Sequence, residues 1–213
     1  MCAEYFVTDI KELTSKRRLI YINYEPAFAL YPAEIRRFQI KKEAVITGEN
    51  YIEITEQLLV KRAKIRAMSL LKSKDYTTAE LTKKLKDTYY PDIAVNTAIE
   101  YVSSFGYLND YRYAESYVAF KAEHKSRKQI EFFLYNKGID KCLIKEVCDL
   151  FYEENSDIEL EQAVKALQKK IGTKDISDAD YSERNKLSAY LYRHGFSMDV
   201  VRKALDIVVN DKL

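Results

Sequence analysis

Six bases crowd one stretch of the sequence with no acid among them: Lys61, Arg62, Lys64, Arg66, Lys72 and Lys74. Cations at that density attract phosphate or carboxylate, so the chemistry on offer is recognition of a nucleic-acid backbone or an acidic protein surface. At about 100° per residue, Leu58–Lys74 resolves into two helical faces. Leu59, Val60, Ala63, Ala67, Leu70 and Leu71 share one, and Lys61, Arg62, Lys64, Arg66 and Lys72 the other. The plainer reading is a solvated face, the common fate of charge on a helix. The sharper one is a partner-binding face, because Ile65 and Met68 lie inside the basic arc.

Catalytic chemistry finds little material. Acid–base work needs convergent carboxylates or an oriented histidine; the only histidines are His124 and His194. The acidic runs Glu153-Glu154 and Asp157-Glu159-Glu161 read as a solvated junction and the negative first turn of a helix. Asp175, Asp178 and Asp180 lack the glycine and terminal glutamate of a calcium loop. Three cysteines (Cys2, Cys142, Cys148) form no C-x-x-C pair, which leaves a zinc site unsupported and suits a reducing compartment. Cys142 and Cys148 read as small apolar residues of one helix. Five glycines supply neither G-x-G-x-x-G nor a P-loop, so no phosphate cradle is expected. The expectation is a binding protein with no cofactor and no metal.

These residues must be held by a folded scaffold. The 213 residues carry 35 basic and 33 acidic side chains, a net charge of +2, with 47% hydrophobic residues. Such a chain buries a sizeable core. It shows neither a membrane span nor a signal pattern, so a cytoplasmic location is expected. Residues 1–75 hold 14 bases against 10 acids, and the rest of the chain has no positive excess. Indiscriminate coating of DNA is therefore disfavoured.

Residues 1–49 read as a small β-rich extension. Tyr5–Ile10 and Arg18–Ile22 are β-branched and aromatic runs, Asn23-Tyr24-Glu25-Pro26 is turn chemistry, and Ala27–Tyr31 is a returning arm. Two or three antiparallel strands are expected, with Pro32 opening a short helix to Phe38. So small a sheet must pack on something else.

From Asn50 the pattern is helical and repeats. Leu81 and Leu85, the Tyr89-Tyr90-Pro91 turn, then Val95, Ala98 and Val102 form one copy. An offset of 49 gives Ile130, Leu134, Gly138-Ile139-Asp140, Ile144, Val147 and Phe151; a further 57 gives Leu187, Leu191, Gly195-Phe196-Ser197, Val201, Ala204 and Val208. Gly138 and Gly195 fit a left-handed helix C′ residue, where the first copy carries Tyr89. Asp140 and Ser197 fit N-caps. Upstream helices at Glu56–Lys74, Tyr111–Glu123 and Leu160–Lys170 complete three tandem three-helix units, 50–108, 109–155 and 156–213. The third contains a longer connection, Gly172–Asp180. One such unit buries its faces poorly alone, and a stack of three does better.

The run Phe105-Gly106-Tyr107-Leu108-Asn109-Asp110-Tyr111-Arg112-Tyr113-Ala114-Glu115 resembles the Gly-Tyr-Leu-Asp-Asp-x-Arg-Phe-Ala segment of the bacterial RecX family. Thr78-Ala79-Glu80-Leu81-x-x-Lys84-Leu85 and Lys137-Gly138-Ile139-Asp140 resemble it too, and the order of all three spans nearly the whole chain. Asn109, Tyr113 and Tyr89-Tyr90 depart from the family's usual residues. The resemblance implies a mainly α fold of three tandem three-helix units in an elongated, curved stack, with the N-terminal sheet as an extension. It also implies a monomeric regulator that binds the RecA recombinase filament on DNA and most often inhibits it.

The bases expected to meet that partner are Lys61, Arg62, Lys64, Arg66 and Lys72, then Lys121, Lys125, Arg127 and Lys128, the latter set displayed on a loop between two helices. Tyr107, Tyr111, Tyr113 and Tyr117 offer rings on which bases stack, though such tyrosines serve equally in helix packing. Two rival functions share the composition: a stand-alone DNA-binding helical protein, and a helical-repeat scaffold for another partner.

Overall fold

The structure, a computed structural model, describes residues 4–155, 157–172 and 180–210. Cys2, Asp175, Asp178 and most of the Gly172–Asp180 connection lie outside the described residues. The chain divides between Asn109 and Asp110 into two compact units.

The first unit opens with β1 (Tyr5–Thr14), β2 (Arg17–Ile22) and β3 (Glu25–Leu30). Asn23 and Tyr24 turn the β2–β3 hairpin with φ of 49° and 70°, the type I′ geometry whose twist suits the flanking strands. The sheet has four strands rather than two or three, because β4 (Ala44–Ile46) pairs antiparallel with the start of β1 and gives the order β3-β2-β1-β4. Gln39 and Glu43, both at positive φ, reverse the chain from α1 (Pro32–Arg37) into that strand. Pro32 stands in the first turn of α1, and the Glu34 carboxylate accepts the Tyr31 N–H at 2.8 Å.

Behind the sheet, α2 (Gly48–Ile52) runs through a π-helical segment, Glu53–Leu58, into α3 (Leu59–Leu71). Then come α4 (Thr78–Lys86) and α5 (Asp92–Ser104). Val7, Ile20, Phe28 and Leu30 of the sheet share one core with Leu59, Leu81, Leu85 and Val95. The sheet thus finds the cover it cannot supply itself; each fully buried Leu or Ile contributes about 1.5–3 kcal/mol to that joint core. Ala63 and Ala67 on α3 and Ala94 and Ala98 on α5 are fully buried. Small side chains there let the two helices pack closely.

The second unit repeats the three-helix plan twice: α6 (Asp110–Lys121), α7 (Arg127–Asn136) and α8 (Lys141–Glu154), then α9 (Ile158–Ile171), α10 (Tyr181–Arg193) and α11 (Met198–Asn210). In every copy the first helix packs on the third. Among the positions aligned by the repeat, Leu81, Ile130 and Leu187, then Leu85, Leu134 and Leu191, are buried in every copy.

The inner turns share one backbone. Tyr89, Gly138 and Gly195 all have positive φ, at 61°, 79° and 92°. The following N–H, of Tyr90, Ile139 or Phe196, bonds the carbonyl of Leu85, Leu134 or Leu191 five residues back. This is the Schellman arrangement, with an apolar residue tucked in just after the turn.

Candidate partner-binding surfaces

On the first unit the expected bases split by face. Lys61, Arg66 and Lys72 are exposed and Lys64 is half-buried. With Gln57, Val60, Ile65, Met68, Ser69 and Tyr101, three of these lysines line a groove of about 600 Å³. Ile65 is 61% exposed, so an aliphatic side chain stands in water among the cations. The Lys64 ammonium lies 4.7 Å from the centre of the Tyr101 ring. Among the described residues, Lys61, Lys64, Arg66 and Lys72 pair with no carboxylate.

Arg62 is different. Its guanidinium bonds the Glu34 carboxylate at 3.0 Å and covers the Tyr31 ring at 4.2 Å, with both side chains of the pair mostly buried. It ties α3 to α1 and is not a free cation. The π-helical segment just before α3 carries ties of its own. Within that segment the buried Thr55 hydroxyl donates to the Tyr51 carbonyl at 2.8 Å, and the Tyr51 ring stacks on Tyr5 of the sheet at 3.6 Å.

The second set is not a loop set. Lys121 ends α6, Lys125 lies in the connection, and Arg127 and Lys128 are the first residues of α7. Arg127 donates to Glu131 at 2.7 Å and also to Asp149 of α8. Burial works against its charge, but those two bonds outweigh it and raise its pKa. The same bond to Arg127 holds the Asp149 carboxyl below the usual carboxylate range. Removing Arg127 would thus break a helix-to-helix tie, and its role is structural first. Lys125 donates to the Tyr117 hydroxyl at 3.4 Å, and Lys121 lies over the Phe120 ring at 4.2 Å. Lys128 stands exposed, 5.6 Å from the Tyr192 ring centre.

Around that tie the interior is polar and tuned by burial. Desolvation raises the Glu159 carboxyl and the Tyr152 phenol, and it pushes the Cys148 thiol up to about 11. Cys148 is therefore a protonated packing residue at neutral pH. Cys142, expected beside it in the interior, is exposed in the first turn of α8. The tyrosines also divide. Tyr111, Tyr113 and Tyr117 pack against the α6–α8 core, Tyr117 stacking on Phe133 at 4.2 Å, so base stacking on these three is not supported. Tyr107 is half exposed and stacks on Phe105, itself 60% exposed.

Two features escaped the sequence. One is the Tyr101–Phe105–Tyr107 aromatic array at the end of α5. The other is a second groove, on α7 and α8, of about 630 Å³, which includes the exposed Phe132 and Tyr135. Among the described residues no three His, Cys, Asp or Glu side chains are placed to hold a metal ion, and no helix is long and apolar enough to cross a membrane.

Residues 109–147 match the family model of the RecX second three-helix domain, and residues 157–205 that of the RecX third three-helix domain. The chain is similar to the RecX family in both of these domains. The RecX-family protein of Caldanaerobacter subterraneus subsp. tengcongensis, named a regulatory protein, is 28% identical over 93% of this chain and 96% of its own length. That of Bacillus subtilis is 29% identical over 94% of this chain and 76% of its own. A crystal structure of regulatory protein RecX superposes over 95% of this chain and 99% of the other, with a TM-score of 0.62 at 22% identity. RecX from Lactobacillus salivarius covers 70% of this chain and 96% of its own, with a TM-score of 0.63 at 24% identity. The shared fold is that of tandem three-helix domains.

Proposed function

We propose that this chain is a regulator of the RecX family that binds the RecA recombinase filament on DNA and restrains its assembly, ATP hydrolysis and strand exchange. The observation that carries the reading is similarity to proteins named RecX regulators along more than nine-tenths of the chain. The local chemistry is compatible with it: Lys61, Lys64, Arg66 and Lys72 pair with no carboxylate among the described residues and lie beside an exposed aliphatic side chain, suited to an acidic protein surface or to phosphate. The chain acts by binding, as a cytoplasmic monomer, and needs no cofactor; the nucleotide chemistry belongs to the recombinase.

Filament binding is measured by co-sedimentation of the protein with RecA assembled on single-stranded DNA. Lys61→Glu, Lys64→Glu and Lys72→Glu together should weaken it at least ~10-fold, since like charge replaces complementary charge at the contact. The helical circular-dichroism signal should be unchanged, because none of the three is in an ion pair of the described fold. Charge reversal at Lys125 and Lys128 tests the second set without disturbing Arg127. An unaltered affinity in both variants would remove these bases from the contact, and no sedimentation of the unmodified protein would overturn the reading.

A second reading, direct contact with single-stranded DNA, is favoured by Phe105 and Tyr107, whose exposed rings suit base stacking. It predicts binding to DNA without recombinase, with a steep salt dependence.

A further inference from the structure

We propose that the α7–α8 groove is a docking site for an acidic protein segment that carries apolar anchor side chains. Phe132 and Tyr135 lie one turn apart on α7 and are 68% and 51% exposed, while Ile130 and Leu134 of the same helix are fully buried. Two large aromatics in water beside a groove of about 630 Å³ are unusual for a surface with nothing to cover it. The buried Ile144 of α8 adds an aliphatic floor.

The charges of the groove select the occupant. Its acid, Glu131, is held by Arg127, so this pair cancels. That leaves Lys128, Lys141 and Lys145 in the lining, with no ion pair to Lys128 or Lys141 among the described residues and Lys145 lending its field to Asp149. An anchor side chain entering between Phe132 and Ile144, flanked by carboxylates that meet the lysines, satisfies both the apolar floor and the cationic rim. A nucleic-acid strand fits less well. It needs free ring faces for stacking, yet the Lys141 ammonium already lies over the Tyr135 ring at 4.9 Å, and the floor is aliphatic.

The site is tested on the full chain by fluorescence anisotropy with three labelled probes of equal length. One is an Asp/Glu-rich peptide with Leu and Phe at helical spacing. The second has those two residues replaced by Ser, and the third is an oligothymidylate. The first probe should bind at least ~10-fold more tightly than the second, and Phe132→Ser should remove at least ~10-fold of that affinity, as loss of a central aromatic anchor does. Lys141→Glu should act in the same direction, and Lys61→Glu, on the other unit, should have no effect. Phe132 is exposed, so Phe132→Ser should keep its circular-dichroism signal. Failure of both peptides to bind, equal binding of the serine peptide, preference for the oligonucleotide, or indifference to Phe132→Ser would each overturn the proposal. No recombinase is present, so the result is independent of whether the filament is the partner.

Discussion

The α4–α5 turn and the α10–α11 turn are one backbone built from different residues. Gly195 reaches φ +92° at no steric cost, whereas Tyr89 is held at +61°, a region that charges a side-chain-bearing residue about 1–2 kcal/mol. The Schellman bond is correspondingly longer in the first copy, 3.5 Å from Tyr90 N–H to Leu85 against 3.3 Å from Phe196 to Leu191. What the first turn lacks in backbone ease it draws from the sheet: the Arg17 guanidinium of β2 reaches the Thr88 carbonyl at the end of α4. The third turn is supported from another module. Ser126, at the N-cap of α7, spends its hydroxyl on the His194 carbonyl at 2.7 Å. Its repeat counterpart Thr77 instead caps its own helix through the Glu80 N–H. The repeat thus specifies the shape of the turn, and the surroundings decide which residues the shape tolerates.

The largest break in this comparison should come from Gly195→Ala. A methyl group there would stand 2.8 Å from Ser126 Oγ and 3.0 Å from Lys128 Cβ, on a backbone already left-handed. A loss of about 2–3 kcal/mol in urea unfolding is expected. Gly138→Ala, argued from positive φ alone, should cost about 1 kcal/mol by the same measurement. Tyr89→Gly runs the other way. Relief of the left-handed strain exceeds the entropy gained by the unfolded chain, for a net stabilisation of about 0.5 kcal/mol. A loss there would show that the Tyr89 ring, and not Arg17, supports the turn.

The smallest effect is one of pH. Burial raises the Glu159 pKa in the folded state, so the fold holds that proton more tightly than the unfolded chain does. Stability contributed by this group therefore falls as pH rises from the ordinary glutamate range through the raised value. Asp149, lowered by Arg127, acts oppositely: its contribution is present above the ordinary aspartate range and is lost as pH falls through the lowered value. Glu159→Gln should flatten the first slope in a pH series of melting curves and leave the acid limb in place.

Much of the architecture was legible because repeats expose their own cores. Positions aligned by offset alone, such as Leu85, Leu134 and Leu191, are buried in all three copies. The departure at Tyr89 was legible as a different residue but not as the same conformation, since only context holds a tyrosine at positive φ. β4 was invisible: three residues carry no period, and Gln39 and Glu43 do not advertise left-handed turns. The π-helical segment has no sequence signature either. For the surfaces, clustered bases were legible, but pairing was not, because the partners of Arg62 and Arg127 lie 28 and 22 residues away, in Glu34 and Asp149. Phe132 was hidden in Ile130–Tyr135, where six residues read as one apolar run interrupted by Glu131 and only the fold shows which side faces water.

The central claim is most directly tested by single-stranded-DNA-dependent ATP hydrolysis by the RecA of the same organism, titrated with this protein well below one copy per recombinase. A fall in rate at those ratios is predicted, because a regulator acting on the filament needs few sites to restrain it. An unchanged rate, together with no co-sedimentation with the filament, would contradict the account.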